Sequence, residues 1–267
     1  MADIWQNQYG GESSLYRFWR MPPVSSSDYD GDGTPDIGIF RSACGLWAIR
    51  GMTRVYFGGE NDSPVSGDYN GDDTTDIGIF RGSSGLWAIR GVTRFYFGVD
   101  SDQPVPGDYS GDGTTTAGIF REGIGLWALR DLSRIYWGGY NDIPLLGDYH
   151  DGETATPAIF RSSKGLWAIR GSTRLYFGAD RDYPLLGDFD GDGVQEAGIF
   201  RSATGLWAVW NVTRAYFGST ADQPVPADFR GSGGDDIGIF RESSGLWAAI
   251  SVTKIYFGTA GDLPVTR

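Results

Sequence analysis

Three observations in the sequence predict an all-β propeller of four-stranded antiparallel blades. An acidic loop recurs every 40 residues, starting at Asp28, Asp68, Asp108, Asp148, Asp188 and Asp228. Four segments of strand length lie between successive loops, none with a helical period. Those segments are apolar on both faces, so each sheet needs a neighbour on either side. The repeat runs from Asp28 past Asp228, which makes residues 1–267 a single closed array rather than two domains.

In the second unit the first segment centres on Pro64-Val65, the second runs from Asp76 to Arg81, the third from Gly85 to Arg90 and the fourth from Thr93 to Gly98. Between the second and third stands a glycine in every copy (Gly45, Gly85, Gly125, Gly165, Gly205, Gly245), as a tight hairpin with positive φ requires. The next turn carries Gly51, Gly91, Asp131, Gly171, Asn211 or Ser251, mostly residues that tolerate the left-handed region. In Gly-Leu-Trp-Ala-Ile-Arg, leucine and alanine face one way while tryptophan and isoleucine face the other. The series Trp47, Trp87, Trp127, Trp167, Trp207 and Trp247 is therefore expected to pack between neighbouring units rather than to form a ligand cage.

The chain ends decide the number of blades. Six complete units are present, and Asp262-Leu263-Pro264-Val265 begins a further first strand. The segments Asp3-Ile4-Trp5 and Ser14-Leu15-Tyr16-Arg17-Phe18-Trp19 resemble a second and a third strand. Seven blades are favoured over six, with an irregular seventh built from both termini, because Pro264-Val265 has no obvious partner in a ring of six.

The loops have the spacing of metal chemistry. Carboxylates at positions 1, 3, 5 and 9 can converge on one hard cation, with a backbone carbonyl at position 7. Without a cation, carboxylates about 4–5 Å apart repel by roughly 3–4 kcal/mol per pair at an effective dielectric near 20. An EF-hand is excluded, because position 12 is isoleucine in every copy (Ile39 to Ile239) and lies in a strand-like run. The first loop offers Asp28, Asp30, Asp32, the Thr34 carbonyl and Asp36; the fifth offers Asp188, Asp190, Asp192, the Val194 carbonyl and Glu196. The second has Asp68, Asn70, Asp72, Thr74 and Asp76, with Asp73 in place of the turn glycine. The third keeps Asp108, Ser110, Asp112 and Thr114 but has Thr116 at position 9, so it is expected to bind more weakly. In the fourth, His150, Gly152 and Thr156 leave Asp148 alone. In the sixth, Arg230 and Ser232 replace ligands between Asp228 and Asp236, so that arginine supplies positive charge instead of an ion. About three or four structural Ca²⁺ ions are expected.

The residues Gly67-Asp68-Tyr69-Asn70-Gly71-Asp72 followed by Asp76-Ile77-Gly78-Ile79-Phe80-Arg81 resemble the FG-GAP/VCBS-type repeat, a likeness that spans residues 22–267 in six copies. That resemblance implies a calcium-binding propeller of the kind found in integrin α-subunits and in bacterial secreted or surface proteins. It implies metal ligands at Asp28, Asp30, Asp32, Asp36 and their equivalents. It is far less specific for activity, since the family includes adhesion modules, lectins and appendages of polysaccharide-active enzymes.

Composition narrows the function. A formal charge of −12 disfavours nucleic acid, although much of it sits in the loops, where about four divalent ions would offset roughly eight charges. No apolar run is long enough for a membrane span and no signal peptide is visible. Cys44 is the single cysteine, so no intramolecular disulfide can form. His150 is the single histidine and is expected to be a solvated surface residue. Asn211-Val212-Thr213 fits a glycosylation triplet at a turn that favours asparagine anyway.

Asp62, Asp102, Asp142, Asp182, Asp222 and Asp262, each two residues before a proline, read as turn formers. The arginines that close the second strand (Arg41 to Arg241) and those at Arg50, Arg90, Arg130 and Arg170 are expected to pair structurally. The second series, lost to Trp210 and Ile250, is the better candidate for ligand recognition. No nucleophile with a base, and no second carboxylate pair, argues for an enzyme. The expectation is a non-catalytic extracellular scaffold for a protein or glycan, secreted or at the cell surface. A multivalent lectin is the alternative, a polysaccharide-active module less favoured, and self-association through the end strands is compatible with either.

Overall fold

The computed structural model describes residues 27–150 and 154–266. Those residues form six four-stranded antiparallel sheets, each a blade. Blade two is typical: Asp62–Pro64, Gly78–Arg81, Leu86–Ile89 and Thr93–Tyr96 pair in that order. The first strand lies innermost, since the residues at its end are fully buried at Val65 and Val225, while the fourth strand is largely exposed. The alternation read in Gly-Leu-Trp-Ala-Ile-Arg holds, with Trp47, Ala48 and Ile49 all buried.

Six blades close the ring, not seven. The C-terminal strand Asp262–Pro264 is the inner strand of blade one, where it pairs with Gly38–Arg41 in the register Ile39↔Pro264 and Arg41↔Asp262. Pro264, expected to lack a partner in a ring of six, therefore has one. The physical reason is that an inner strand needs only a free sheet edge, and blade one offered that edge more than 200 residues away in sequence. The segments proposed for the N-terminal half of a seventh blade, around residues 3–5 and 14–19, lie outside the described residues.

Each blade packs on the next through the repeated apolar positions. Phe40, Trp47 and Ile49 of blade one meet Ile77, Ile79 and Ala88 of blade two, and Val225, Phe240 and Trp247 of blade six meet Ile37, Ile39 and Ala48 of blade one. The six tryptophans are buried, and the indole N–H of each donates to the backbone, as Trp47 does to Phe57 O at 3.0 Å. Trp47 also lies tilted against Phe40, with centroids 5.0 Å apart, a contact worth about 0.5–1.5 kcal/mol beyond area burial. These tryptophans are core, as the repeat predicted.

The aspartates expected to form turns do more. Asp62 lies on the inner strand opposite Arg81, and its two carboxylate oxygens accept from Nε at 2.7 Å and Nη2 at 2.8 Å. The same bidentate pair recurs in all six blades, with the aspartate side chain at most 1% exposed. Arg41–Asp262 is the copy that ties the chain's end to blade one. Turn formation is retained as well: the Val99 N–H donates to Asp102 Oδ2 at 2.9 Å. Removing the arginine strands a buried carboxylate and is expected to cost about 2–3 kcal/mol, whereas removing the aspartate leaves a guanidinium that reaches water and is expected to cost less.

The turns follow the sequence. Gly85 has φ 67°, and a Cβ there would sit 2.3 Å from Gly98 O, so no side chain fits. Asp131, Asn211 and Ser251 hold φ near 60° where other units have glycine.

Candidate metal centre

The acidic loop joins the first strand to the second, and one frame recurs in it. In loop one both oxygens of Asp28 accept backbone N–H groups, from Gly31 at 2.7 Å, Asp32 at 3.2 Å and Gly33 at 2.9 Å. The carboxylate at position 9 reaches back, with Tyr29 N–H donating to Asp36 Oδ2 at 2.8 Å. Loop five repeats both devices through Asp188 and Glu196. Positions 1 and 9 thus fold the loop while leaving lone pairs free for a ligand.

Neighbouring loops are joined head to tail. The position-8 N–H of each loop donates to the position-1 carbonyl of the loop before it: Thr75 to Asp28, Thr115 to Asp68, Ala155 to Asp108, Gln195 to Asp148 and Asp235 to Asp188, at 2.5–2.8 Å. The sixth junction lacks this donor, because position 8 of loop one is Pro35. Within blade one the C-terminal residues are tied to the second strand: Gly38 N–H donates to Thr266 Oγ1 at 2.9 Å, and the Thr266 hydroxyl donates to Asp36 O at 2.6 Å.

Among the described residues, two loops bring three or more acidic groups together. In loop five Asp188, Asp190, Asp192 and Glu196 each present an oxygen within 4.8 Å of the others; in loop one Asp28, Asp30 and Asp36 do so without Asp32. The two loops differ at position 9, where Glu196 stands in place of Asp36, and at position 7. Thr34 in loop one donates its hydroxyl to Asp32 Oδ1 at 2.6 Å, whereas Val194 in loop five has no hydroxyl to offer. Thr74 and Thr114 hold Asp72 and Asp112 in the same way. These hydroxyls, aided by the threonine N–H, keep the Asp32, Asp72 and Asp112 carboxyls below their usual range.

Position 9 behaves oppositely. Burial, then the other loop carboxylates, raises Asp36 and Glu196, while the N–H groups of Tyr29 and Phe189 offset part of this. Burial likewise raises Asp76. A cation beside these groups would relieve both the desolvation and the mutual repulsion.

Loop two is less gathered. Asn70 Nδ2 points at both oxygens of Asp76 at 3.4 Å, and Asp73 occupies the left-handed region with φ 64°, donating its N–H to Asp68 Oδ2 at 2.9 Å. In loop three Ser110 is turned onto Asp108, and Thr116 pairs with Gly107 in the sheet. In loop four His150 is exposed and its N–H donates to Asp148 Oδ1 at 3.0 Å; residue 152 lies outside the described residues.

Loop six carries its own cation. Arg230 Nη2 lies 2.6 Å from Asp236 Oδ1, and the Asp236 side chain is 3% exposed. Burial raises the Asp236 carboxyl and Arg230 lowers it. Between loops five and six sits Asp235, whose Oδ2 accepts the Asp188 N–H at 3.0 Å. Burial, with Asp188, Asp228 and Asp236 nearby, pushes its carboxyl up to about 7.

Of the second arginine series, Arg130 stacks on the Phe95 ring of the preceding blade at 4.0 Å and also faces Asp131 at 3.5 Å. At the same repeat position Trp210 meets Phe177 edge-on at 5.4 Å. Both residues therefore pack across blades, which explains how arginine and tryptophan exchange there. Cys44 is exposed on its hairpin. No helix among the described residues is long and apolar enough to cross a membrane.

No family model matches the sequence, and a search of curated proteins finds no match. Among solved structures, a chain in the crystal structure of BBS1N in complex with ARL6DN, soaked with mercury, is similar over 92% of each chain, with a TM-score of 0.52 and 10% identity. At that identity the likeness concerns fold alone, and it agrees with the blade pairing: the chain is a β-propeller of six four-stranded blades.

Proposed function

We propose that the chain is a non-catalytic, calcium-stabilised propeller of the FG-GAP/VCBS type that presents its surfaces for adhesion or assembly outside the cell. The observation that carries this reading is the convergence of Asp188, Asp190, Asp192 and Glu196 within 4.8 Å in loop five. Four oxygen donors at one point suit a hard divalent cation. Loop one, with three gathered carboxylates and Asp32 held one hydroxyl away, is the second site; loops two and three are weaker candidates. The ions hold the loops in shape.

Affinities on the order of 10⁻⁴–10⁻³ M, typical of extracellular modules, fit a protein working where calcium is abundant. The test is thermal melting in calcium, after chelation and after calcium is restored. A reversible fall in Tm on chelation is expected, and a Tm indifferent to calcium would sink the reading.

A multivalent lectin is favoured over a purely structural role by one observation. Six tyrosines, one per blade at Tyr56, Tyr96, Tyr136, Tyr176, Tyr216 and Tyr256, are 69–76% exposed on the outer strands. The six repeated tryptophans, Trp47 to Trp247, are too deeply buried to stack on a sugar. A glycan array separates the two readings, with silence on every glycan pointing to a protein partner.

A further inference from the structure

We propose that the outer rim of the propeller is a multivalent track for an acidic polysaccharide. The proposal rests on the reading of the propeller as an interaction scaffold and names the chemistry of its partner.

The fourth strand of every blade hydrogen-bonds on one side only and faces solvent on the other. Along it, Arg54, Arg94, Arg134, Arg174, Arg214 or Lys254 lies two residues before the exposed tyrosine. Residues two apart share one face of a strand, and each of these cations is exposed. Among the described residues none of the six side chains makes a hydrogen bond or an ion pair, whereas those of the arginines that close the second strand all do. No acidic residue occurs in any of the six fourth strands. A chain with formal charge −12 therefore presents, around its circumference, six cations with no side-chain counterion among the described residues.

The rim also has shape. Between blades four and five a cavity of about 380 Å³ is lined by Phe177, Trp210, Asn211, Thr213 and Arg214. Between blades six and one a cavity of about 270 Å³ occupies the same repeat position, lined by Phe257, Met52, Thr53 and Arg54. Each combines an aromatic wall with a hydroxyl, an unpaired guanidinium and, in the larger, the Asn211 amide.

A sugar ring offers an apolar face to the aromatic wall and hydroxyls to the polar groups, and a carboxylate or sulfate on it meets the arginine bidentately. Cations at a fixed angular interval suit a polymer with regularly repeated charge. Simultaneous contacts raise its avidity without any single strong site.

The test is affinity electrophoresis of the full chain, in calcium, through gels containing hyaluronan, dextran sulfate or neutral dextran, with a gel shift on double-stranded DNA alongside. Retardation by both acidic polymers and not by dextran is expected, falling at least about 10-fold as salt rises from about 50 to about 200 mM. The triple variant Arg54→Gln/Arg134→Gln/Arg214→Gln should weaken it by about 10-fold or more, and Tyr56→Ser/Tyr136→Ser/Tyr216→Ser should weaken it with every cation intact.

The proposal is overturned if neither acidic polymer retards the chain, or if the arginine variant runs as the parent does. Equal binding of DNA with no effect of the tyrosine variant, meaning ion exchange only, would overturn it too. The calcium-dependent Tm, measured on the same samples, is expected to be unchanged in both variants. Loss of rim binding with that dependence intact removes the track alone, and a Tm indifferent to calcium beside intact rim binding removes the calcium reading alone.

Discussion

Loops five and six are neighbours in the ring and fold on the same frame, yet they balance charge in opposite ways. In both, the first aspartate accepts backbone N–H groups: Asp188 from Gly191 and Gly193, Asp228 from Ser232 at 2.9 Å and Gly233 at 2.6 Å. In loop five the remaining acidic groups gather with no cation of the protein's own. In loop six one of them is replaced by Arg230, whose guanidinium lies on Asp236. The difference teaches that the frame belongs to position 1 and the turn, while in loop six the charge at its centre comes from the chain; in loop five the proposed calcium would supply it.

Four substitutions bear on that contrast, three of them in order from the largest expected effect to the smallest and Asp148→Ala as the reference for the first. Asp188→Ala removes three backbone acceptances and a metal ligand together, and is expected to cost about 2–4 kcal/mol in calcium, a fall in Tm of about 5–10 °C. Asp148→Ala should cost less, and equal falls would remove the ranking of the loops. Arg230→Asp restores a carboxylate at position 3 of loop six. Without calcium it should lose about 1–2 kcal/mol, because among the described residues Asp236 Oδ2 already has no partner and Oδ1 would lose its own. Calcium should then return most of that loss, as a larger calcium-dependent rise in Tm than the parent shows. Val194→Thr supplies loop five with the hydroxyl that restrains Asp32 in loop one. A calcium affinity lower by only a few-fold, worth less than about 1 kcal/mol, is expected by calorimetric titration, and unchanged affinity would show that position 7 does not steer position 5.

Much of the fold was legible because the repeat is strict: spacing placed the strands, the glycine hairpins and the buried tryptophans. The blade number was misjudged for a physical reason. Pairing of Pro264 with Ile39 joins residues that share no local pattern, and a strand-like end segment reads the same whether it starts a blade or completes one. The Asp62–Arg81 pair was closer to hand, since its spacing of 19 recurs between loops. It was missed because an aspartate before a proline is already explained by turn chemistry, and here one carboxylate both caps a turn and holds an arginine.

At the loops, the ligand positions were readable but their competition was not. Thr34 and Val194 look equivalent when only their carbonyls are considered, and only the side-chain geometry shows the Thr34 hydroxyl claiming Asp32. Arg230 was legible as an internal cation, because a guanidinium among carboxylates has few other uses.

The central claim is that loop five takes its cation from solution while loop six carries its own. Anomalous diffraction from crystals grown in millimolar calcium tests it most directly. The account predicts a calcium peak among Asp188, Asp190, Asp192 and Glu196, and none beside Asp236, where the Arg230 guanidinium stands. A peak in loop six, or a loop five without one, would contradict it.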